Sequence, residues 1–222
     1  MTQTPPPPPL YEEGLRSSPA ALRNRAPILK VLRQYIAPGQ RVLEIASGTG
    51  EHAAHFAQES DWYWQCSDAL PQALETIAHW TRGVPGIAAP PLHLDMMDGN
   101  WPARATEGGS FDAIYCANMI HIAPPEAMTG LIAGAQRVLT KGGLLLLYGP
   151  FRIGAYHTAP SNADFDASLK ARDPRWGLRD LGEVVDTMRQ HQLVHQATQP
   201  MPANNLCLIF ERRAASPARL HE

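Results

Sequence analysis

The chain has 222 residues, of which 44% are hydrophobic and 18% charged, with a formal net charge of −2. This balance suits one globular domain with its own core and excludes a general electrostatic pull toward nucleic acid or anionic membrane. No window approaches the ~20 apolar residues of a membrane span, and residues 1–10 lack the basic-then-apolar layout of a signal peptide, so a cytoplasmic protein is expected.

In chain order, Pro5 to Pro9 predict a polyproline II segment within a disordered tail over residues 1–16. Residues 17–213 read as a single domain and 214–222 as a second tail. Ser18 followed by Pro19 has the form of a helix N-cap with proline at the first helical position. The helix that follows carries Leu22, Ile28, Leu29, Leu32 and Ile36 at near-helical spacing, with Pro27 expected to kink or split it. Strands and helices then alternate. Residues 40–46 form a strand and 50–59 a helix. Residues 62–67 are a strand, 70–82 a helix, and 91–94 a short strand closing on Asp95. Residues 111–117 are the fourth strand and 125–139 its helix. Residues 144–148 are the fifth strand, apolar throughout and therefore expected inside a parallel sheet. Residues 149–177 are rich in glycine, proline and asparagine and read as a long loop covering the site. A helix over 180–191 and two antiparallel strands over 193–198 and 206–212 complete the chain. The fold class is α/β: a seven-stranded, mostly parallel sheet with an antiparallel last strand and helices on both faces. Cys66, Cys116 and Cys207 are odd in number and far apart, which points to buried thiols and to neither a disulfide nor a metal site.

In open α/β sheets a ligand binds beyond the carboxyl ends of the strands. The first strand ends in Glu44 and the turn Gly48-Thr49-Gly50, whose small residues allow close backbone approach. The second ends in Asp68, about 20 residues past the glycines, the distance at which an acid reaches a ribose diol. The third ends in Asp95, which could accept from an adenine amino group. Singly, each acid could be a helix cap. Together with the turn they indicate a nucleotide-like cofactor. Gly48-x-Gly50-x-x-Ala53 also fits a dinucleotide fingerprint, but Glu44 would sit beside a pyrophosphate at a cost in free energy. A carboxylate suits a cation, and S-adenosylmethionine carries a sulfonium and an ammonium group without a fixed phosphate charge. An NAD-dependent oxidoreductase is accordingly the less favoured alternative.

Over residues 40–148 the chain resembles the class I S-adenosylmethionine-dependent methyltransferases, with a Rossmann-like sheet. Glu44-x-x-x-Gly48-x-Gly50 stands where their first motif does, although Ala46-Ser47 occupies positions where many members carry glycine. Segments across nearly the whole chain are similar to the DUF938 family. They include Leu43-Glu44-Ile45-Ala46-Ser47-Gly48-Thr49-Gly50-Glu51-His52, Ala117-Asn118-Met119-Ile120-His121-Ile122, Ser161-Asn162-x-x-Phe165-Asp166 and Met201-Pro202-Ala203-Asn204-Asn205-Leu206. The resemblance implies a cofactor set of Glu44, Ala46, Ser47, Gly48, Gly50, His52, Asp68, Asp95, Met96 and Asn118. Arg23 and Asn24 would reach the cofactor from the first helix, the arginine pairing with its carboxylate.

Methyl transfer needs the nucleophile held against the sulfonium and water kept out. Candidate catalytic residues are His121, Tyr148 and Asn118. His121 could be a general base, since an unperturbed histidine titrates near ~6.5, or a capping or core histidine. Tyr148 could pack on the acceptor or be a buried strand tyrosine. Candidate substrate-binding residues are Tyr148, Ser161, Asn162, Asn204 and Asn205, the last two alternatively turn chemistry alone. The Asn-Pro-Pro-Tyr pattern of adenine- and glutamine-modifying enzymes is absent. The pairs Arg23-x-Arg25 and Arg212-Arg213 are too small for a nucleic-acid surface. The expected partner is therefore a small molecule or a protein side chain. A non-catalytic cofactor-binding or interaction protein with the same fold is the alternative.

Overall fold

The computed structural model describes residues 18–213, with the backbone of Leu10–Tyr11 and Leu15–Arg16, which pair antiparallel. The expected polyproline segment and the tail from residue 214 lie outside the described residues. Seven strands form the central sheet: β1 (Arg41–Ile45), β2 (Tyr63–Asp68), β3 (Ile87–His93), β4 (Phe111–Ala117), β5 (Leu139–Gly149), β6 (Leu193–Met201) and β7 (Asn205–Arg212). Their order is β6-β7-β5-β4-β1-β2-β3, and β7 runs antiparallel to both neighbours. The strand order reverses between β1 and β4, the place in an open α/β sheet where the connections leaving two neighbouring strands run to opposite sides and a crevice forms.

Alternation along the strands makes two cores. Leu43, Ile45, Ile114, Cys116, Leu145 and Leu147 face one side, under α4 (Trp101–Ala105), α5 (Pro125–Val138) and α7 (Leu181–Gln190). Val42, Trp64, Tyr115, Leu146 and Cys207 face the other, under α1 (Pro19–Tyr35), α2 (Glu51–Gln58) and α3 (Pro71–Trp80). Each fully buried Val, Leu, Ile or Phe contributes roughly 1.5–3 kcal/mol. The three cysteines are free and buried among these side chains.

Three expectations need correction. Helix α1 is not split at Pro27, because Ile28, Leu29, Val31 and Leu32 are buried and hold the turn after the proline in place. Strand β3 is longer than residues 91–94 and includes Pro90 and Pro91. It is an edge strand, so only one side of its backbone has to supply ladder donors. Residues 149–177 are not a structureless loop. They hold a hairpin that pairs Arg152–Ile153 with Tyr156–His157, and a helix α6 (Pro160–Arg172). The inward face of α6 is Asn162, Asp166 and Leu169. Two of those three are polar, so hydrophobic periodicity does not reveal the helix.

The short α4, absent from the sequence expectations, sits in a seat cut by two glycines of α5. A Cβ at Gly134 would lie 2.0 Å from the Trp101 ring, and one at Gly130 would lie 1.8 Å from the Met96 carbonyl oxygen. Trp101 donates its indole N–H to the Gly130 carbonyl at 3.1 Å. Since backbone cannot swing aside as a flexible side chain does, Gly130→Ala is expected to destabilise the protein by about 1–3 kcal/mol. Urea denaturation reads this as a lowered midpoint with an unchanged slope.

Candidate functional site at the carboxyl edge of the sheet

The β1–α2 turn is built by backbone conformations that few side chains tolerate. Gly48 has φ +61 and Gly50 φ +86, while Ala46 holds φ 56 and Asn118, at the end of β4, φ 61. Left-handed non-glycine residues are strained by about 1–3 kcal/mol and persist only where their surroundings fix them. Here two of them flank the crevice. A side chain at Gly50 would be strained at this φ, and its Cβ would press on the Ile77 backbone at 3.0 Å. Gly48 differs: it is exposed and a Cβ there would meet nothing within 4 Å. Its backbone therefore borders open space.

Asp68 locks this turn. One carboxylate oxygen accepts the Gly48 N–H at 3.0 Å and the other accepts the Leu70 N–H at 3.0 Å. The helix-capping and ligand-binding readings are compatible here, since each oxygen keeps a second lone pair. Ser47 donates its N–H to the Ser67 carbonyl at 2.8 Å, and its hydroxyl accepts the Ser67 N–H at 3.2 Å, so β1 and β2 are held together at the crevice. Asp95 accepts the Met97 N–H at 2.8 Å and stays half-buried. Met96, expected at the cofactor, is turned into the core beside α5; Met97, 55% exposed, is the open side chain at that edge. On the far side of Met96, a groove of about 640 Å³ runs between α4 and α5 past Pro102, Pro125 and Arg137. It is separate from the glycine turn, which is where the carboxylates converge.

Glu44 is 2% exposed and faces the α1–α2 side of the sheet, next to Tyr115 across the switch point. The Trp64 indole donates to its Oε2 at 3.1 Å. Burial pushes its carboxyl up from 4.5 to about 7, opposed by hydrogen bonds from Trp64 and Ser47 and reinforced by the charge of Asp68. Sequence reasoning missed both Trp64 and Tyr115. The Tyr115 hydroxyl is buried without a hydrogen-bond partner and lies in the same polar pocket as Glu44.

The N-terminal part of α1 closes this side. The Ser18 hydroxyl caps the helix through the Ala21 N–H at 3.2 Å, and the Ser18 N–H donates to Glu51 Oε2 at 2.5 Å. His52 Nε2 donates to Asn24 Oδ1 at 2.7 Å, and Asn24 Nδ2 donates to the Tyr148 hydroxyl at 3.4 Å. Burial brings His52 down to about 4, so it is neutral at physiological pH. Tyr148, 4% exposed, accepts through its hydroxyl in this chain of bonds. Arg23 is exposed on α1, one residue from Asn24.

His121 does not fit the role of general base. It is fully buried in the 3₁₀ turn Met119–His121. Its Nδ1 accepts the Arg179 N–H at 3.3 Å, and its Nε2 has no hydrogen-bond partner. Burial, then the nearby Arg179 charge, lowers it to about 3. With its lone pair occupied and the ring closed from solvent, it organises the turn and takes no proton. A Cβ at Gly149 would lie 2.6 Å from His121 Nε2 and 3.1 Å from Asn118 Oδ1, so this glycine lets the two side chains meet the end of β5. The polar residues expected to bind substrate are instead largely spent on packing. Asn162 donates to Thr158 Oγ1 at 2.8 Å and to the Asn204 carbonyl at 3.1 Å. Asn204 donates to Ser161 at 3.5 Å, and the Asn205 amide donates to the Pro202 carbonyl at 3.0 Å. They join α6 to the β6–β7 turn.

Comparisons with known proteins agree with this geometry. The profile of a family described as "Protein of unknown function (DUF938)" matches residues 15–212. A protein of Synechocystis named an uncharacterized methyltransferase is 28% identical over 156 residues, 68% of this chain and 66% of its own length. The match thus spans just under two thirds of that relative. Among solved structures, an O-methyltransferase family protein from Burkholderia thailandensis superposes with a TM-score of 0.70 at 19% identity, covering 89% of this chain and 58% of its own. Human N-acetylserotonin methyltransferase, solved with S-adenosylmethionine, superposes with a TM-score of 0.72 at 11% identity, covering 88% and 53%. The fold is the Rossmann-like methyltransferase fold.

Glu44 carries a stability signature of its own. Because folding raises its pKa, the folded protein binds this proton more tightly than the unfolded chain does. Stability is therefore lost as pH rises from about 4.5 through about 7, and then levels off. Glu44→Gln keeps an oxygen for Trp64 and removes the titration. The variant should gain about 3 kcal/mol on the parent between acid and mildly alkaline pH, read by urea unfolding of both proteins across that range.

Proposed function

We propose that this chain, which belongs to the DUF938 family, is an S-adenosylmethionine-dependent methyltransferase acting on a small molecule or a protein side chain. The observation that carries the reading is a buried carboxyl, Glu44, beneath a glycine turn whose open backbone is clamped by a second carboxylate, Asp68. Its donor set fits the cofactor. Asp68 keeps lone pairs for two ribose hydroxyls, and Asp95 has one for an adenine amino group. Glu44 is held by an indole and a hydroxyl, not by a cation, so an ammonium group would complete it. The same acid opposes a pyrophosphate, which argues against a dinucleotide. The names and cofactor of the structural neighbours support the choice.

S-adenosylmethionine, when bound, supplies the electrophilic methyl group. The chain supplies position and exclusion of water. Gly48 lets the backbone come close, and the His52–Asn24–Tyr148 chain fixes a hydroxyl at the end of β5 that can orient an acceptor. His121 and Arg179 fasten the segment beyond β5 over that end of the sheet. With His121 neutral and closed off, acceptors that arrive as neutral nucleophiles are favoured over those needing deprotonation.

Glu44→Ala and Asp68→Ala should each weaken S-adenosylmethionine binding by about 10- to 100-fold in calorimetric titration, the range for lost hydrogen bonds to charged groups. Affinity for the parent protein should fall as pH drops below about 7, since the free protein must then lose a proton from Glu44 to receive a cation. Unchanged affinity in both variants would remove the cofactor from this crevice.

A further inference from the structure

Among the described residues, three buried side-chain polar atoms have no hydrogen-bond partner, and one of them, the Tyr115 hydroxyl, belongs to the pocket of Glu44. Tyr115 stands directly across from Glu44 in the parallel register of β4 and β1. Its ring packs against Phe56, Trp64 and His52, with centroids 5.7, 6.0 and 6.2 Å away, so the hydroxyl is held in place. Trp64 is shared between the two residues, since its indole also donates to Glu44 Oε2 at 3.1 Å. A position that needed only the volume of a ring would be served by phenylalanine, because a buried hydroxyl without a partner costs free energy. The phenol is thus a donor without an acceptor.

Charge indicates which acceptor it serves. The titratable groups acting on Tyr115 are Glu44, Cys207, Tyr148 and Cys116. Burial pushes both cysteines up to about 12 and raises Tyr148, so these three stay protonated and neutral. Burial, then the charge of Glu44, holds Tyr115 itself well above an ordinary phenol, so it keeps its proton. Glu44 is the member of this group that becomes charged near neutral pH. An ionised carboxylate offers about four lone-pair sites. Trp64 and Ser47 occupy two, which leaves room for one more donor from the chain and for a ligand cation.

We propose that Tyr115 is a positioning residue for the cofactor: its hydroxyl donates to the Glu44 carboxylate once the arriving ligand cation has displaced the carboxyl proton to solvent, and so holds that carboxylate against the ligand's ammonium group. This rests on the methyltransferase reading and adds a residue to its cofactor site. The bond is charge-assisted, so it strengthens when Glu44 is ionised and contributes little when Glu44 is neutral.

S-adenosylhomocysteine carries the ammonium group and 5′-methylthioadenosine lacks it, while both carry the adenosine and the thioether. Calorimetric titration of Tyr115→Phe should show S-adenosylhomocysteine weakened about tenfold and 5′-methylthioadenosine unchanged. In the Glu44→Gln background, where no carboxylate forms, adding Tyr115→Phe should weaken S-adenosylhomocysteine by less than about twofold. A purely structural role for the phenol would weaken both ligands alike and act equally in both backgrounds. Either of those results, or unchanged S-adenosylhomocysteine affinity in Tyr115→Phe, overturns the proposal while the cofactor reading stands. If S-adenosylhomocysteine does not bind the parent protein, the methyltransferase reading falls and the proposal falls with it.

Discussion

A carboxyl group held by an indole and a hydroxyl, with no cation to complete it, sits where the strand order reverses. Glu44 is surrounded by Trp64, Tyr115 and the turn it supports, and its raised pKa shows that keeping it charged there is unfavourable. A fold selected for stability alone would fill such a position with an apolar side chain of similar volume. The rest of the crevice is arranged around it. Asp68 fixes the Gly48 backbone, Ser47 ties β1 to β2, and Ala46 and Asn118 hold left-handed conformations on either side. Backbone strain and uncompensated burial are thus concentrated within a few residues.

Around that centre the segment after β5 is docked through polar contacts. Asp166, Asn162 and Arg179 dock α6 and the hairpin by hydrogen bonds to backbone and to one another. Hydrogen bonds of fixed geometry specify a single docked arrangement, which apolar packing alone specifies less well. One consequence is that charges and amides which look available in the sequence are already committed. Among the side chains of this segment left facing water are Ile153, Tyr156 and Phe165.

Much of the scaffold was legible because its signals are local. Alternating apolar runs, the Ser18 cap, the Gly48–Gly50 turn and the acids at successive strand ends all depend on neighbours close in sequence. The expected and observed bounds of β4 coincide, and β7 is the antiparallel strand. The elements that escaped are those whose stability comes from a distant partner. Helix α6 bonds its Asn162 to a carbonyl 42 positions away, α4 is seated where Gly134 of α5 admits Trp101 and Gly130 admits the Met96 backbone, and β3 tolerates two prolines because it lies at an edge.

The same division separates the site residues. Sequence by itself determined the fold class, the glycine turn and the carboxylates facing it, because backbone sterics and strand periodicity dictate which residues end a strand and which conformations a turn can hold. Only the tertiary structure decided what those residues are free to do. Burial and the Arg179 contact closed His121 to proton transfer, packing turned Met96 inward and left Met97 outside, and the Asn205 amide bonds carbonyls of its own turn while that of Asn204 reaches Ser161 on α6. A side chain's chemistry is fixed by its covalent structure, but its protonation, its exposure and its remaining hydrogen-bonding capacity are set by whatever folding brings against it.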